Sequence, residues 1–359
     1  MKKLLPLIII ACIAPASCGD DATTNEKVEK SSLNDWQKER LSGKVNSVRQ
    51  RVYWALEKFG RIEKGKLQNM PAQDYLKIYD DEGYLIEETH YDASDKVVSR
   101  NVISYGPTHL ITLEEIYKET ALSERIVYTY DDNNRLVKKE KFDGEGKIKE
   151  WMQYIYGKNS LVEDEDWYKA DGNLNCKYIH KYDNILRLVE KEKYWGGGSL
   201  AQKEYYYYED NNKDSRWSEI VSEKYKNKES SFDYRFVFKN YNSYNDFGEK
   251  IQYNEDGEDV LAIVQTFNNL GHQTEYGTIV KKNVNIPIEI LPDEEDKDAA
   301  AEMGESTITT VEYNGQSYEY VYDERDNWIQ KITYKVTGDD TAETKRDRQF
   351  YYERIITYK

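Results

Sequence analysis

The sequence predicts an all-β protein: a long antiparallel β-meander of hairpin repeats, about 26 residues to every two strands, laid out as a largely single-layer twisted or rolled sheet. A β-sandwich is the alternative. Three observations carry this: apolar residues alternate with period two, tyrosines recur on a fixed beat, and turn-forming residues sit at constant offsets from that beat.

The totals frame the reading. Among 359 residues, 38% are hydrophobic and the mean hydropathy is -0.91, low for a deep core. Yet there are 33 Tyr, and aromatic residues make up 13%, which argues against disorder. Such a chain orders itself by pairing backbones and laying amphipathic rings along the sheet. The net charge is -16, which disfavours nucleic acid as a partner.

Met1-Lys2-Lys3 is a basic start, and Leu4 to Ala14 is an apolar run too short to span a bilayer. Pro15-Ala16-Ser17-Cys18 then resembles the bacterial lipoprotein signal, in which the cysteine is acylated and becomes the first mature residue. Cys12 lies inside the apolar run and is read as part of it; an ordinary secretory signal cut nearby is the alternative. Gly19-Asp20-Asp21 resembles the acidic tag that exports lipoproteins of the Bacteroidetes to the outer face of the outer membrane. The resemblance implies residues 1–17 as a signal peptide, Cys18 as the lipid anchor, and a cell-surface address. Residues 18–42 are expected as a flexible tether, with a short helix over Asn34 to Leu41. With Cys18 acylated, Cys176 has no partner and is expected as a small buried filler, so no disulfide framework holds the fold.

The repeat array is placed at residues 43–291. Val48, Val52, Trp54 and Leu56 share one parity, which means strand. Tyr79, Tyr105, Tyr130, Tyr156, Tyr182 and Tyr208 then follow at steps of 25 or 26 residues. Tyr91, Tyr117, Phe142, Tyr168 and Tyr194 keep the same step twelve residues behind. After the ring comes Asp, with Gly, Asn or Asp three positions later: Asp80 and Gly83, Asp92 and Asp95, Asp131 and Asn134, Asp143 and Gly146. Asp opens a type I turn, and the later residue takes the left-handed conformation of a bulged hairpin. This register sets Tyr130 against Leu136 and Phe142 against Ile148, pairs worth roughly 0.2–1 kcal/mol each. Strand middles such as Val137-Lys138-Lys139-Glu140-Lys141 carry charge on both parities, so neither sheet face is expected to be deeply buried.

Beyond Tyr208 the beat slips, then returns less regularly through Asn254 to Gly257 and Asn268 to Gly271. Ile286 to Leu291, with Pro287, reads as an edge-type extended piece. Residues 292–306 are expected as an acidic mobile loop, and 307–359 as strands continuing the sheet. Trp195-Gly196-Gly197-Gly198-Ser199 is a turn rather than a phosphate cradle, because strand follows it.

Tyr130-Asp131, Asn134, Arg135 and Leu136 resemble the YD repeat of the rearrangement-hotspot (RHS) family, as do, in part, Tyr79-Asp80 with Gly83 and Leu85, and Tyr322-Asp323 with Trp328. That family implies β-hairpin arrays, sometimes wound into shells around toxin cargo and sometimes binding carbohydrate or cell surfaces. This chain is expected to be far too short for a closed shell.

No catalytic, cofactor or metal residues are expected. His90, His109, His180 and His272 show no ligand spacing, and His180 is read as a sheet-surface residue. Acids of the Asn254–Asp259 stretch are explained as turn formers rather than calcium ligands. Trp151, Trp167, Trp195, Trp217 and Trp328 are the candidates for stacking on a surface glycan, against a reading in which the rings only cover the sheet. A protein paired along an open edge strand is a further possible partner. The expected function is a non-catalytic, surface-anchored scaffold or binding module for a glycan or protein. A polysaccharide-acting enzyme and a shell-like sequestering protein are the alternatives.

Overall fold

The computed structural model describes residues 33–359 except 213, 244–245, 291–301 and 340–344. The expected signal peptide, Cys18 and most of the acidic loop lie outside the described residues. One short helix, α1 (Asp35–Lys38), precedes the strands β1 (Val45–Lys58), β2 (Arg61–Leu67), β3 (Tyr75–Tyr79), β4 (Leu85–Tyr91), β5 (Val97–Tyr105), β6 (Ile111–Lys118) and β7 (Ala121–Tyr130). Then come β8 (Leu136–Asp143), β9 (Ile148–Tyr156), β10 (Val162–Lys169), β11 (Leu174–Tyr182), β12 (Leu188–Trp195), β13 (Leu200–Tyr207) and β14 (Glu219–Lys226). The chain ends with β15 (Glu229–Lys239), β16 (Glu249–Tyr253), β17 (Asp259–Phe267), β18 (Gln273–Ile290), β19 (Glu302–Tyr322), β20 (Trp328–Asp339) and β21 (Lys345–Tyr358). The residues expected as the end of the acidic loop, from Glu302 on, therefore belong to β19. Pro287 lies where β18 pairs only with β19, as an extended edge requires.

The bulged hairpin is built as its residues dictate. Tyr130 pairs with Leu136, and Phe142 with Ile148. One carboxylate oxygen of Asp131 accepts from the amides of Asn133 and Arg135, both at 2.9 Å, and Asn134 takes φ +61°. The same forward bonds recur from Asp80, Asp143, Asp183 and Asp323. Repeats are then tied together. The Tyr156 hydroxyl donates to the Leu136 carbonyl at 2.8 Å, closing over the turn of the preceding hairpin, while Arg135 binds Asp131 and lies 4.6 Å from the Tyr156 ring centre. Tyr105, Tyr130, Tyr182 and Tyr208 make the equivalent bond to Leu85, Ile111, Val162 and Leu188. From Tyr105 to Tyr208 the 26-residue beat is thus a column of phenols, each satisfying a carbonyl beside a bulge.

Between these columns the strands stay half-exposed, as charge on both parities demands; every residue of β8 is intermediate in burial. The two clusters of buried apolar residues lie elsewhere. Val45, Val48, Tyr75, Tyr79 and Trp36 form one cluster, and Val52, Trp328 and Tyr352 another.

Those clusters mark a seam, and there the expected single-layer twisted or rolled sheet closes on itself. β1 pairs with β3 on one side and, over Val45–Trp54, with β21 on the other, so β1 and β3 to β21 close into a 20-strand antiparallel barrel, with β2 folded back on the far half of β1. It is neither a sandwich nor a strip. The chain is long enough for a closed ring because single-layer strands spend few residues each. Closure pairs two edges that would otherwise be open.

Residues paired across an antiparallel ladder share a face, and tracing that face from Gln50 through Tyr75, His90 and onward returns through Lys331, Tyr352 and Arg354 to Gln50. It is the lumenal face. The outer face is charged: Lys177 meets Asp164 at 2.8 Å, Lys203 meets Glu192 at 2.5 Å and Arg235 meets Glu219 at 2.6 Å, all across neighbouring strands. A barrel that crosses a bilayer carries an apolar outer band instead. Among the described residues no helix is long and apolar enough to cross a membrane.

The segment after α1 straps one barrel mouth beside the seam. Asn34 and Gln37 cap the helix reciprocally, and Trp36 packs on Tyr79. Arg40 reaches Asp246 at 2.5 Å on the far side of the seam. Within the stretch expected as a tether, residues from Asn34 on are therefore packed. Gly83 has to be glycine: its φ is +91°, and a β-carbon would lie 2.5 Å from the Trp36 ring.

Candidate functional site

A cavity of about 400 Å³ lies on the lumenal side of the seam, lined by residues from both ends of the chain. Its rings are Tyr75, Tyr318, Tyr320, Tyr352 and Trp328, its amides Gln50, Gln73, Gln273 and Gln316, and its cations Lys331 and Arg354. No carboxylate is among the described lining residues.

Alternation on four strands places these groups. β1 supplies Gln50 between the buried Val48 and Val52, and β3 begins at Tyr75, whose hydroxyl donates to Gln50 at 2.9 Å. β21 brings Tyr352 opposite Val52 and Arg354 opposite Gln50, while β20 brings Lys331 opposite Tyr352. The short stretch between β2 and β3 folds inward, so that the Gln73 carbonyl accepts from Gln50 at 2.8 Å and its side chain accepts from Tyr352.

Arg354 is held rigidly by neutral partners. Its Nε donates to Gln50 at 3.0 Å, its Nη2 donates to the Tyr75 hydroxyl at 2.7 Å, and its guanidinium carbon lies 3.5 Å from the Trp328 ring centre. Lys331 stands 4.2 Å from the centre of Tyr352, 5.4 Å from Trp328 and 5.6 Å from Tyr318. Burial, with the Arg354 charge second, pushes its pKa down to about 8. Nearby, His272 packs against Tyr320 and Tyr322 and is held neutral, its pKa lowered to about 4 by burial and then by the charges of Arg40, Arg354 and Lys331.

No protein-family model and no curated protein matches the sequence. Among solved structures, the chain is similar to the TcdB2–TccC3 structure (9% identity, TM-score 0.30, covering 80% of this chain and 18% of that one). It is similar to the Photorhabdus luminescens Tc holotoxin pore with a TccC3 mutation (9%, TM-score 0.30, 76% and 16%). It is also similar to a porin-like protein from Bacteroides uniformis (8%, TM-score 0.28, 88% and 99%). The chain spans less than a fifth of the length of either Tc-toxin chain. Overlaps this low carry no functional argument.

The five tryptophans do not converge. Trp328 alone lines the cavity, and at 7% exposure, with Arg354 against it, it braces that arginine rather than offering an open platform. Trp151 is stacked face to face on Tyr168 at 3.7 Å, on the outer face. Trp167 donates to Glu165 at 2.6 Å, Trp217 packs edge-on against Tyr206, and Trp195 stands 49% exposed at a turn. That turn is closed by Trp195 and Ser199 backbones with Gly198 at φ +81°, and strand follows as expected. His180 is not a surface residue: it is buried on the lumenal side of β11, with burial, then Lys191, lowering its pKa to about 4. Cys176 is a fully buried thiol.

Lys331, Arg354, Tyr352 and Gln50 escape a reading of the sequence alone, since they meet only because the first and last strands pair. A faint signal exists. Phe350, Tyr352, Arg354 and Ile356 share one parity on β21, so an arginine stands in an otherwise apolar row.

Proposed function

We propose that this protein is a non-catalytic binding barrel that takes a polar, ring-bearing ligand such as a glycan into the seam cavity, while a lipid at Cys18 holds it at the cell surface. One observation carries the binding reading: a cavity of about 400 Å³ whose wall combines tyrosine rings with four glutamine side chains. Aromatic surface with a few placed amides and hydroxyls is the composition that recognises sugar rings. The described lining offers no carboxylate pair of the kind that glycoside hydrolysis uses, so the cavity is read as a binding site. The charged outer face supports a barrel that stands in water and leaves membrane attachment to the acyl chains. The resemblance to RHS-type YD repeats rests on the hairpin residues themselves.

The test is calorimetric titration of the mature chain with a panel of oligosaccharides. Binding by at least one member, weakened by the paired change Tyr318→Ala and Gln316→Ala, is expected; no heat from any member would remove the glycan reading. For the anchor, Cys18→Ala is expected to move the protein from the membrane to the soluble fraction.

The closed ring favours a second reading, a sequestering shell, which requires a ligand shielded from solvent. Protection of a bound fluorescent sugar from a soluble quencher distinguishes it from open binding.

A further inference from the structure

We propose that the seam cavity selects acidic saccharides, with Lys331 and Arg354 forming a two-cation seat for a carboxylate or sulfate group beside Trp328. This rests on the binding reading above and names the ligand class.

The chain carries a net charge of -16, yet the described cavity lining contains two cations and no acid. On the outer face, cations such as Lys181 and Lys203 meet carboxylates, sharing Glu190 and Glu192. The lumen holds both cases: Lys250 stands 3.7 Å from the centre of the Phe236 ring, whereas Lys77 is paired. Lys77, on the same lumenal face as Tyr75, lies 2.8 Å from Glu39. Lys331, by comparison, meets only rings, and the Arg354 bonds run to an amide and a phenol. Burying a charge without a counter-charge is costly, and two like charges flanking one indole compound that cost.

The geometry suits a bound anion. Arg354 is aimed by Gln50 and Tyr75 and braced by Trp328, so little ordering entropy remains to be lost on binding. Lys331 adds a compact second charge on the neighbouring strand. The glutamines and tyrosines around them suit the hydroxyls of a sugar rather than a bare inorganic ion. An incoming carboxylate or sulfate neutralises both cations where they are partly buried, and such contacts are stronger there than in open water.

The experiment titrates the mature chain with oligogalacturonate, hyaluronan and chondroitin sulfate fragments, and in parallel with the neutral cellulose and xylan fragments. Acidic fragments are expected to bind at least about tenfold tighter than neutral ones, with affinity falling as salt is raised. Lys331→Gln and Arg354→Gln should each weaken acidic binding about ten- to hundredfold, and Lys331→Arg should retain most of it. Melting curves confirm that each variant is folded; Lys331→Gln decides the matter if Arg354→Gln is not. Neutral fragments binding as tightly as acidic ones, unaffected by Lys331→Gln, would overturn the acidic selectivity and leave the glycan-binding reading standing. Acidic binding that survives Lys331→Gln would place the seat elsewhere. Binding of neither class would remove both.

Discussion

The side chain of Asn327 holds Ser42 as a neighbouring strand would. Its oxygen accepts from the Ser42 amide at 2.7 Å, and its nitrogen donates to the Ser42 carbonyl at 2.8 Å. Asn327 is 1% exposed, so these bonds are shielded. Its nitrogen also donates to the Tyr358 hydroxyl at 2.8 Å, joining the strap, the β19–β20 turn and the end of β21 at one point. Asn327→Ala leaves both Ser42 groups unsatisfied and should cost about 1–3 kcal/mol. Amide exchange of residues 34–44 should accelerate more than that of β8 or β12; uniform acceleration would mean the strap is not separately held.

Tyr156→Phe removes the bond to Leu136 without changing shape. A loss of about 0.5–1.5 kcal/mol in urea unfolding is expected. Tyr182→Phe should cost a similar amount, because its hydroxyl bonds the Val162 carbonyl at 2.7 Å in the same way. An effect near zero at both sites would show that the columns do not contribute to stability.

Leu186 occupies the left-handed position of its turn at φ +70°, where most sister hairpins carry Gly, Asn or Asp and two carry His109 and Ser160. A branched side chain there costs roughly 1–2 kcal/mol, part of which glycine gives back in chain entropy. Leu186→Gly should therefore stabilise by about 0.5–1 kcal/mol, read as a raised melting temperature.

Lys331→Met should stabilise the unliganded protein by about 1–3 kcal/mol at neutral pH while abolishing the seat. The folded pKa of Lys331 lies near 8, below its ordinary value of 10.5, so the unfolded chain binds that proton more tightly. The penalty is present in full below about pH 8 and fades as pH rises toward the ordinary lysine value. The gain from Lys331→Met should shrink over the same interval in urea melts. A variant no more stable than the parent at pH 7 would show the ammonium to be well accommodated.

Buried phenols make the barrel sensitive to alkali. Burial pushes Tyr130 up to about 12, with Tyr156 the next cause, and Tyr352 likewise, with Tyr318 next. With folded pKa values above unfolded ones, their contribution is complete below about pH 10 and is lost as pH rises through the folded values. Unfolding should coincide with the late part of the tyrosinate absorbance change, rather than follow an earlier, smooth titration.

Local matters were legible in the chain. The pairs Tyr130–Leu136 and Phe142–Ile148, the Asp-led turns and the half-wet strand middles all stand where turn chemistry and period put them. Each depends on residues close in sequence, or one repeat apart. The tryptophans were less legible, because an indole at a ladder position looks the same in sequence whether it covers Tyr168, as Trp151 does, or braces a cation, as Trp328 does.

By itself the sequence determined the class, the beat and the hairpin register, since backbone sterics and Asx bonding act over a few residues. Only the tertiary structure decided that the sheet is a ring, and so which face is enclosed. Closure depends on twist summed over twenty strands, and on Gln50 of β1 meeting Arg354 of β21, some three hundred residues away. The cavity exists only there, because its lining is drawn from both ends of the chain.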